Sequence, residues 1–170
     1  MEILPTDKED HIARYSGLLQ PYAVPHDEKF GDGREHGDED RDARDPRTRF
    51  TIDVGRIGFS PYFRSLADKI QVMPIARTGY VPSMRMSHTV ETALLSSHTA
   101  AEMCLNPELA QAHGMGHDMG HCALGHEGEK PLNEWALEKS DDQVGFNHNI
   151  QAHRIATLLA NHRNPETHYH

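Results

Sequence analysis

The stretch GHDMGHCALGHEGE, residues 116–129, concentrates side chains that bind metals or transfer protons. It holds three histidines and three carboxylates within fourteen residues, with four glycines between them. A neutral imidazole nitrogen and a hard carboxylate oxygen together suit a divalent metal. Neighbours on a helix point about 100° apart, so we expect His117 and Asp118 to reach one ion without pairing with each other. A solvated polar loop is the alternative, but six such side chains favour a functional site.

A different zinc site is the second interpretation of the same region. His113, His117 and His121 are spaced by four residues, which would align them on one face of a single helix. Gly114, Gly116 and Gly120 weaken such a helix, because glycine costs about 1 kcal/mol relative to alanine in a helix interior.

Composition bounds the class of protein. The 170 residues are enough for one domain with a hydrophobic core, and the formal net charge of -9 argues against a nucleic acid as the main partner. Cys104 and Cys122 form no CxxC motif, which predicts reduced thiols and a cytoplasmic location. No apolar run approaches the roughly 20 residues that span a membrane, so we expect no membrane partner.

The N-terminal third differs from the rest of the chain. Residues 26–48 contain nine acidic and five basic side chains and almost no apolar ones, so this segment cannot bury a core. We predict an N-terminal arm over residues 1–48, in which 26–48 is mobile. Residues 49–170 are predicted to form the folded domain.

Apolar residues recur at helical spacing after Arg49, and no alternating pattern of strand length is present. The predicted fold class is therefore all-α. Ser60-Pro61 and Asn106-Pro107 each predict an N-cap followed by proline at the first helical position. Helices are predicted within 52–70, over 83–104, from 107 to about 119, over 128–139 with Trp135 as a core anchor, and over 146–159.

Five motifs resemble those of the HD phosphohydrolase superfamily, and in particular its deoxyguanosine triphosphate triphosphohydrolase-like (dGTPase-like) branch. They occur in the family's order and cover most of the chain. The motifs are a scattered set between residues 49 and 72, RMSHTVE at 85–91, GHDMGH at 116–121, GHEGE at 125–129 and GFNHNIQ at 145–151. The resemblance implies an HD-domain helical bundle.

The resemblance also implies roles for individual residues. His88, His117 and Asp118 would ligate a divalent metal (manganese, magnesium, iron or cobalt) from two packed helices. His126 would be the catalytic histidine, supported by Glu129. The remaining implied roles are His121 and His148 on the phosphate side, a phosphate contact from Arg85, and nucleoside contacts from Gln71 and Arg64.

The implied reaction is hydrolysis of a deoxynucleoside triphosphate at the α-phosphorus, which releases deoxynucleoside and triphosphate. A homo-oligomer is compatible with the family. The superfamily's H…HD…D ligand set needs a second aspartate, but Glu166 is the only carboxylate after His148. We therefore expect the N-terminal part of a longer enzyme, with a domain incomplete at its C-terminus. Two alternatives stay open: another HD nucleotidase or phosphodiesterase, and a truncated, non-catalytic HD module that binds nucleotide or metal.

Overall fold

The computed structural model describes residues 16–25, 47–71, 84–140 and 144–159. In these ranges the regular structure is helical, apart from one isolated antiparallel bridge between Ile70 and Met84. The all-α prediction is thereby confirmed. Nearly all of the acidic segment lies outside the described residues, so its predicted mobility and the domain boundary at 48–49 stay predictions. None of the described helices is long and apolar enough to cross a bilayer.

The helices follow the predicted order with shifted ends. The elements are α1 (Arg49–Phe59), α2 (Pro61–Arg64), a 3-10 helix (Ser65–Asp68), α3 (Arg85–Glu102), α4 (Pro107–Gly116), α5 (Gly125–Lys139), α6 (His148–Arg154) and a π-helical turn (Ile155–Leu159). The α4 helix ends at Gly116 and not near Met119 as predicted. His117 and Asp118 therefore lie in the turn that follows α4.

Both predicted N-caps are confirmed. The Ser60 side chain accepts a hydrogen bond from the amide of Phe63 at 3.1 Å, with Pro61 as the first helical residue of α2. The Asn106 side chain accepts from the amides of Glu108 and Leu109 at the start of α4. These bonds satisfy amides that have no partner within the helix.

The core joins α2, the 3-10 helix, the turn after α4 and the π-helical turn, and partly buried side chains of α1, α3 and α4 pack against it. Its buried side chains are Phe63, Leu66, Met119 and Ile155. The α3 and α4 helices pack closely because Gly114 has no side chain: a Cβ there would lie 2.6 Å from the Cα of Ala93. This close approach sets the His88 end of α3 beside the end of α4, while Met119 fixes the turn to the core.

Trp135 is not the core anchor that the sequence predicts. Its side chain is 58% exposed, and Gly125 is the only fully buried residue of α5. Apolar spacing along a helix identifies a face, but burial also requires an element that covers it. No described element buries the face of α5 that carries Trp135.

Candidate active site

Three residues predicted to bind metal lie together at the end of α4. His88 projects from α3, His117 caps α4 and Asp118 follows it. Each offers one ligand atom, and these atoms lie within 4.8 Å of one another. We call these three residues the ligand group. Their convergence is a structural finding, whereas the metal itself stays a prediction.

The orientation of His117 suits a metal ligand. Its Nδ1 lies 2.7 Å from the carbonyl oxygen of Gly114, which can only accept, so Nδ1 carries the proton. The other ring nitrogen, Nε2, lies 3.3 Å from Oδ1 of Asp118 and carries the lone pair when the ring is neutral. Metal-ligating histidines commonly donate their other ring N–H in this way. Two imidazoles and a carboxylate arranged so fit a divalent transition metal.

The expectation that His117 and Asp118 would not pair is wrong. Their side chains approach to 3.3 Å. The expectation assumed helical spacing, but α4 ends at Gly116 and both residues lie beyond its last regular turn. The zinc alternative fails for the same reason, since His113 lies on α4 and His121 lies beyond its end, so one helix face does not carry all three histidines.

Asp118 is buried among cationic and N–H partners. Its Oδ2 lies 3.2 Å from Nη1 of Arg85, and its Oδ1 lies 3.2 Å from Nε2 of His121. Burial raises the pKa of Asp118, but the hydrogen bond from His121 and the charges of His117 and Arg85 outweigh it and lower the pKa to about 2. The carboxylate is therefore ionised at neutral pH, which is the form that ligates a metal.

A second set of residues, which we call the proton-transfer group, adjoins the first. It consists of His121, His126, Glu129 and His148, whose ligand-type atoms also lie within 4.8 Å of one another. The rings of His121 and His148 stack at 4.1 Å with an interplanar angle of 10°. The ring of His126 meets both edge-on, at 4.7 Å from His121 and 5.0 Å from His148. The four predicted catalytic residues are thus neighbours.

Glu129 holds His148 more closely than it holds His126. Its carboxylate oxygens lie 2.9 and 3.0 Å from Nδ1 of His148, and it accepts a further bond from the His148 amide at 3.0 Å. The distance to Nδ1 of His126 is 3.4 Å. The side-chain hydrogen bond with His148 is the main reason that the pKa of Glu129 falls to about 2. Glu129 is therefore ionised at neutral pH, and its carboxylate contacts both His148 and His126.

His121 joins the two groups. It is buried, its Nε2 faces Asp118, and its ring stacks on His148. Lys69 fixes the backbone here by donating from Nζ to the carbonyl oxygen of His121 at 3.0 Å. Burial, followed by the nearby Arg85 charge, lowers the pKa of Lys69. Sequence reasoning gave Lys69 no role, because it precedes His121 by 52 residues and no spacing connects them.

The closeness of α6 to this turn depends on Gly120. A Cβ at Gly120 would overlap the carbonyl oxygen of His148 and the amide nitrogen of Ala152. The backbone of α6 can therefore lie directly on the turn that follows His117 and Asp118, which places His148 against His121.

The three predicted substrate contacts differ in their placement. Arg85 is buried against Asp118, and its Nη2 lies 3.4 Å from the carbonyl oxygen of Gln71. The Oε1 of Gln71 is buried without a hydrogen-bond partner among the described residues. Arg64 is exposed, with its guanidinium 5.9 Å from the ring centroid of Phe59. No hydrogen bond or ion pair within the described ranges joins Arg64 to either histidine group, and its nucleoside contact stays a prediction.

A comparison of the sequence with protein-family models agrees with the helical fold and with the turn that carries His117 and Asp118. The HD domain model matches residues 85–169, and the chain belongs to the HD-domain family. The match contains the ligand group and the proton-transfer group in full. Membership also agrees with the resemblance that the five sequence motifs carry.

Three named proteins from other organisms are similar in sequence to this chain. A protein of Caldanaerobacter subterraneus is 38% identical over 85% of this chain and 39% of its own length. One of Syntrophus aciditrophicus is 38% identical over 83% of the chain and 33% of its own length, and one of Corynebacterium efficiens is 40% identical over 68% and 26%. All three bear the name deoxyguanosinetriphosphate triphosphohydrolase-like protein. The chain thus spans less than two fifths of the length of these relatives.

Proposed function

We propose that this chain carries the ligand and proton-transfer groups of a metal-dependent deoxynucleoside triphosphate triphosphohydrolase. The observation that carries the proposal is the position of His121 between the two groups. Its buried ring contacts the carboxylate of Asp118 on one side and stacks on His148 on the other. The names of the similar proteins support this substrate class. Nucleotide metabolism in the cytoplasm, and assembly of several copies, belong to the same proposal.

His88, His117 and Asp118 would hold the divalent ion. A divalent metal bound there supplies Lewis-acid polarisation of a phosphoryl oxygen and lowers the pKa of a bound water. Arg85 and His121 contact Asp118 and help to keep it ionised. An ionised carboxylate is the form that can ligate the metal. Manganese, iron, cobalt or magnesium fit the proposal, and the mixed nitrogen and oxygen donors favour the first three.

His126 would act as the general acid. Its side chain is 69% exposed, so substrate can reach it, and Glu129 accepts from its Nδ1. With Nδ1 donating to Glu129, a proton on Nε2 would be available for the oxygen that departs from the α-phosphorus. A water oxygen forms the new bond to that phosphorus, and the bond to the deoxyribose oxygen breaks. The products are deoxynucleoside and triphosphate.

Product analysis tests the proposal. The chain is incubated with Mn²⁺ and dGTP, and the products are resolved by anion-exchange chromatography. We expect deoxyguanosine and tripolyphosphate, and we expect His126→Ala to lower the rate by about 10²–10⁴-fold with bound Mn²⁺ unchanged. His98→Ala, an exposed histidine on α3, is the matched control and should keep the wild-type rate.

Two results would contradict the proposal. Release of single phosphates would indicate another HD nucleotidase or phosphodiesterase. Retained metal binding without turnover of any nucleotide would favour a non-catalytic HD module.

A further inference from the structure

Each histidine of the proton-transfer group has one ring nitrogen beside a carboxylate. Nε2 of His121 lies 3.2 Å from Oδ1 of Asp118. Nδ1 of His148 lies 2.9 Å from Oε2 of Glu129, and Nδ1 of His126 lies 3.4 Å from the same oxygen. Both carboxylates are ionised at neutral pH, so they can only accept hydrogen bonds. These three ring nitrogens therefore carry protons.

The other nitrogen of each ring has a free lone pair when the ring is neutral. It is Nδ1 in His121 and Nε2 in His126 and His148. Nδ1 of His121 is buried without a hydrogen-bond partner among the described residues, in a side chain that is 3% exposed. A buried acceptor without a partner costs free energy, which a bound ligand would recover. This nitrogen therefore indicates a ligand that accepts a lone pair.

The histidines of the group are close enough to share one ion. Each of its four residues offers one ligand atom, and these atoms lie within 4.8 Å of one another. The ring centroids of the three histidines are 4.1 to 5.0 Å apart. A bound zinc ion would draw the nitrogens to bond lengths of about 2.0–2.1 Å. His126 is largely exposed, so an ion can enter the group from solvent.

We propose that the proton-transfer group is a second metal site, which binds zinc through His121, His126 and His148. Asp118 and Glu129 accept the remaining ring N–H bonds, and such outer carboxylates fix the tautomer of metal-ligating histidines. Three imidazoles suit zinc better than manganese or magnesium, which prefer oxygen donors. The site thereby differs from the ligand group, which supplies a carboxylate oxygen directly.

Zinc at this site would inhibit catalysis, a consequence that rests on the proposed function. The ion takes the lone pair of Nε2 of His126, and a proton held there is released to solvent. A zinc-bound Nε2 has no proton to give to the departing oxygen, so the general acid is lost. The group can therefore transfer a proton or bind zinc, but it cannot do both at once.

Zinc stoichiometry tests the site without an assay of turnover. Wild type, His148→Ala and the control His153→Ala are dialysed to equilibrium against Zn²⁺, and bound zinc is measured by elemental analysis. His153 is an exposed histidine on the same helix, α6. We expect two zinc ions in wild type and in His153→Ala, one for each histidine group, and a single ion in His148→Ala.

Two further variants keep the test decisive if His148→Ala fails to fold. His126→Ala removes an exposed ring and should also leave a single zinc ion. Glu129→Gln keeps the shape of the outer carboxylate but removes its charge, so zinc at this site should bind about 10–100-fold more weakly. Circular dichroism checks that each variant keeps its helices.

The inhibitory role has its own measurement. Zn²⁺ is added to the Mn²⁺-loaded chain during dGTP hydrolysis, and bound manganese is measured in the same samples. A lower rate with manganese retained supports inhibition at the proton-transfer group. A lower rate only where manganese is displaced overturns the inhibitory role.

The outcomes separate this inference from the proposed function. Two zinc ions in folded His148→Ala and His126→Ala overturn the zinc site, and so does an equal loss in His153→Ala. A single wild-type ion that His117→Ala loses overturns it too and leaves the ligand group as the metal site. A single ion that His117→Ala keeps and His148→Ala loses supports the zinc site and overturns the ligand group. Two bound zinc ions in a chain that never hydrolyses dGTP support the zinc site and overturn the proposed function.

Discussion

The ligand group and the proton-transfer group are adjacent, but they are held in different ways. Asp118 and its partner Arg85 are almost completely buried, so the geometry of the ligand group follows from the packing of α3 on α4. In the proton-transfer group, His126 lies in solvent and is held mainly by Glu129 and by ring contacts. The difference corresponds to the two proposed tasks. A ligand set needs fixed atoms, whereas a general acid needs access to substrate.

The largest expected difference between the groups is in stability. Asp118→Ala leaves the Arg85 charge buried without its partner, which costs about 3–5 kcal/mol. Glu129→Ala removes hydrogen bonds from a partly exposed pair and should cost about 1 kcal/mol. Urea unfolding of both variants measures the two free energies. Equal losses would show that the groups are held alike and would refute the comparison.

The contact between the groups can be strained through Gly120. Gly120→Ala places a methyl group against the backbone of α6 and should destabilise the chain by about 1–3 kcal/mol. Gly55→Ala, in the interior of α1 with open space around it, should instead stabilise by about 0.5–1 kcal/mol. Thermal unfolding of the two variants checks both signs. If Gly120→Ala is as stable as wild type, α6 does not lie on the turn as described.

The smallest expected effect is a pH dependence that belongs to Glu129. Its pKa is lowered from 4.5 to about 2 in the folded chain, so it contributes stability that is present above pH 4.5 and is lost as pH falls toward 2. The Tm difference between wild type and Glu129→Gln should therefore shrink over that window. Asp118 titrates in both proteins and cancels from the difference. A difference that is constant from pH 5 to 2 would contradict the lowered pKa of Glu129 beside His148.

Sequence reasoning predicted the parts of the molecule that local rules control. Ser60 and Asn106 cap helices because capping depends on a few consecutive residues, and the α3 helix was predicted from residues spaced by three and four along the chain. The family's motif order predicted which histidines would lie together.

The sequence did not predict the contacts between residues that lie far apart in the chain. The contact of the Arg85 guanidinium with Asp118, 33 residues away, was not predicted, and its phosphate contact stays a prediction. Lys69 reaches the carbonyl oxygen of His121 across 52 residues, which no local pattern encodes. Trp135 shows the converse, because its apolar character predicted burial that the tertiary structure does not provide.

Metal content of two histidine variants tests the central claim most directly. Wild type, His117→Ala and His126→Ala are loaded with Mn²⁺, dialysed and measured by elemental analysis. His117 contributes a ligand atom that faces Asp118, whereas His126 is held by Glu129 in the neighbouring group. We expect His117→Ala to lose most of its bound Mn²⁺ and His126→Ala to retain the wild-type amount. Loss in His126→Ala with retention in His117→Ala would show that the roles of the two groups are exchanged, and the account would be wrong.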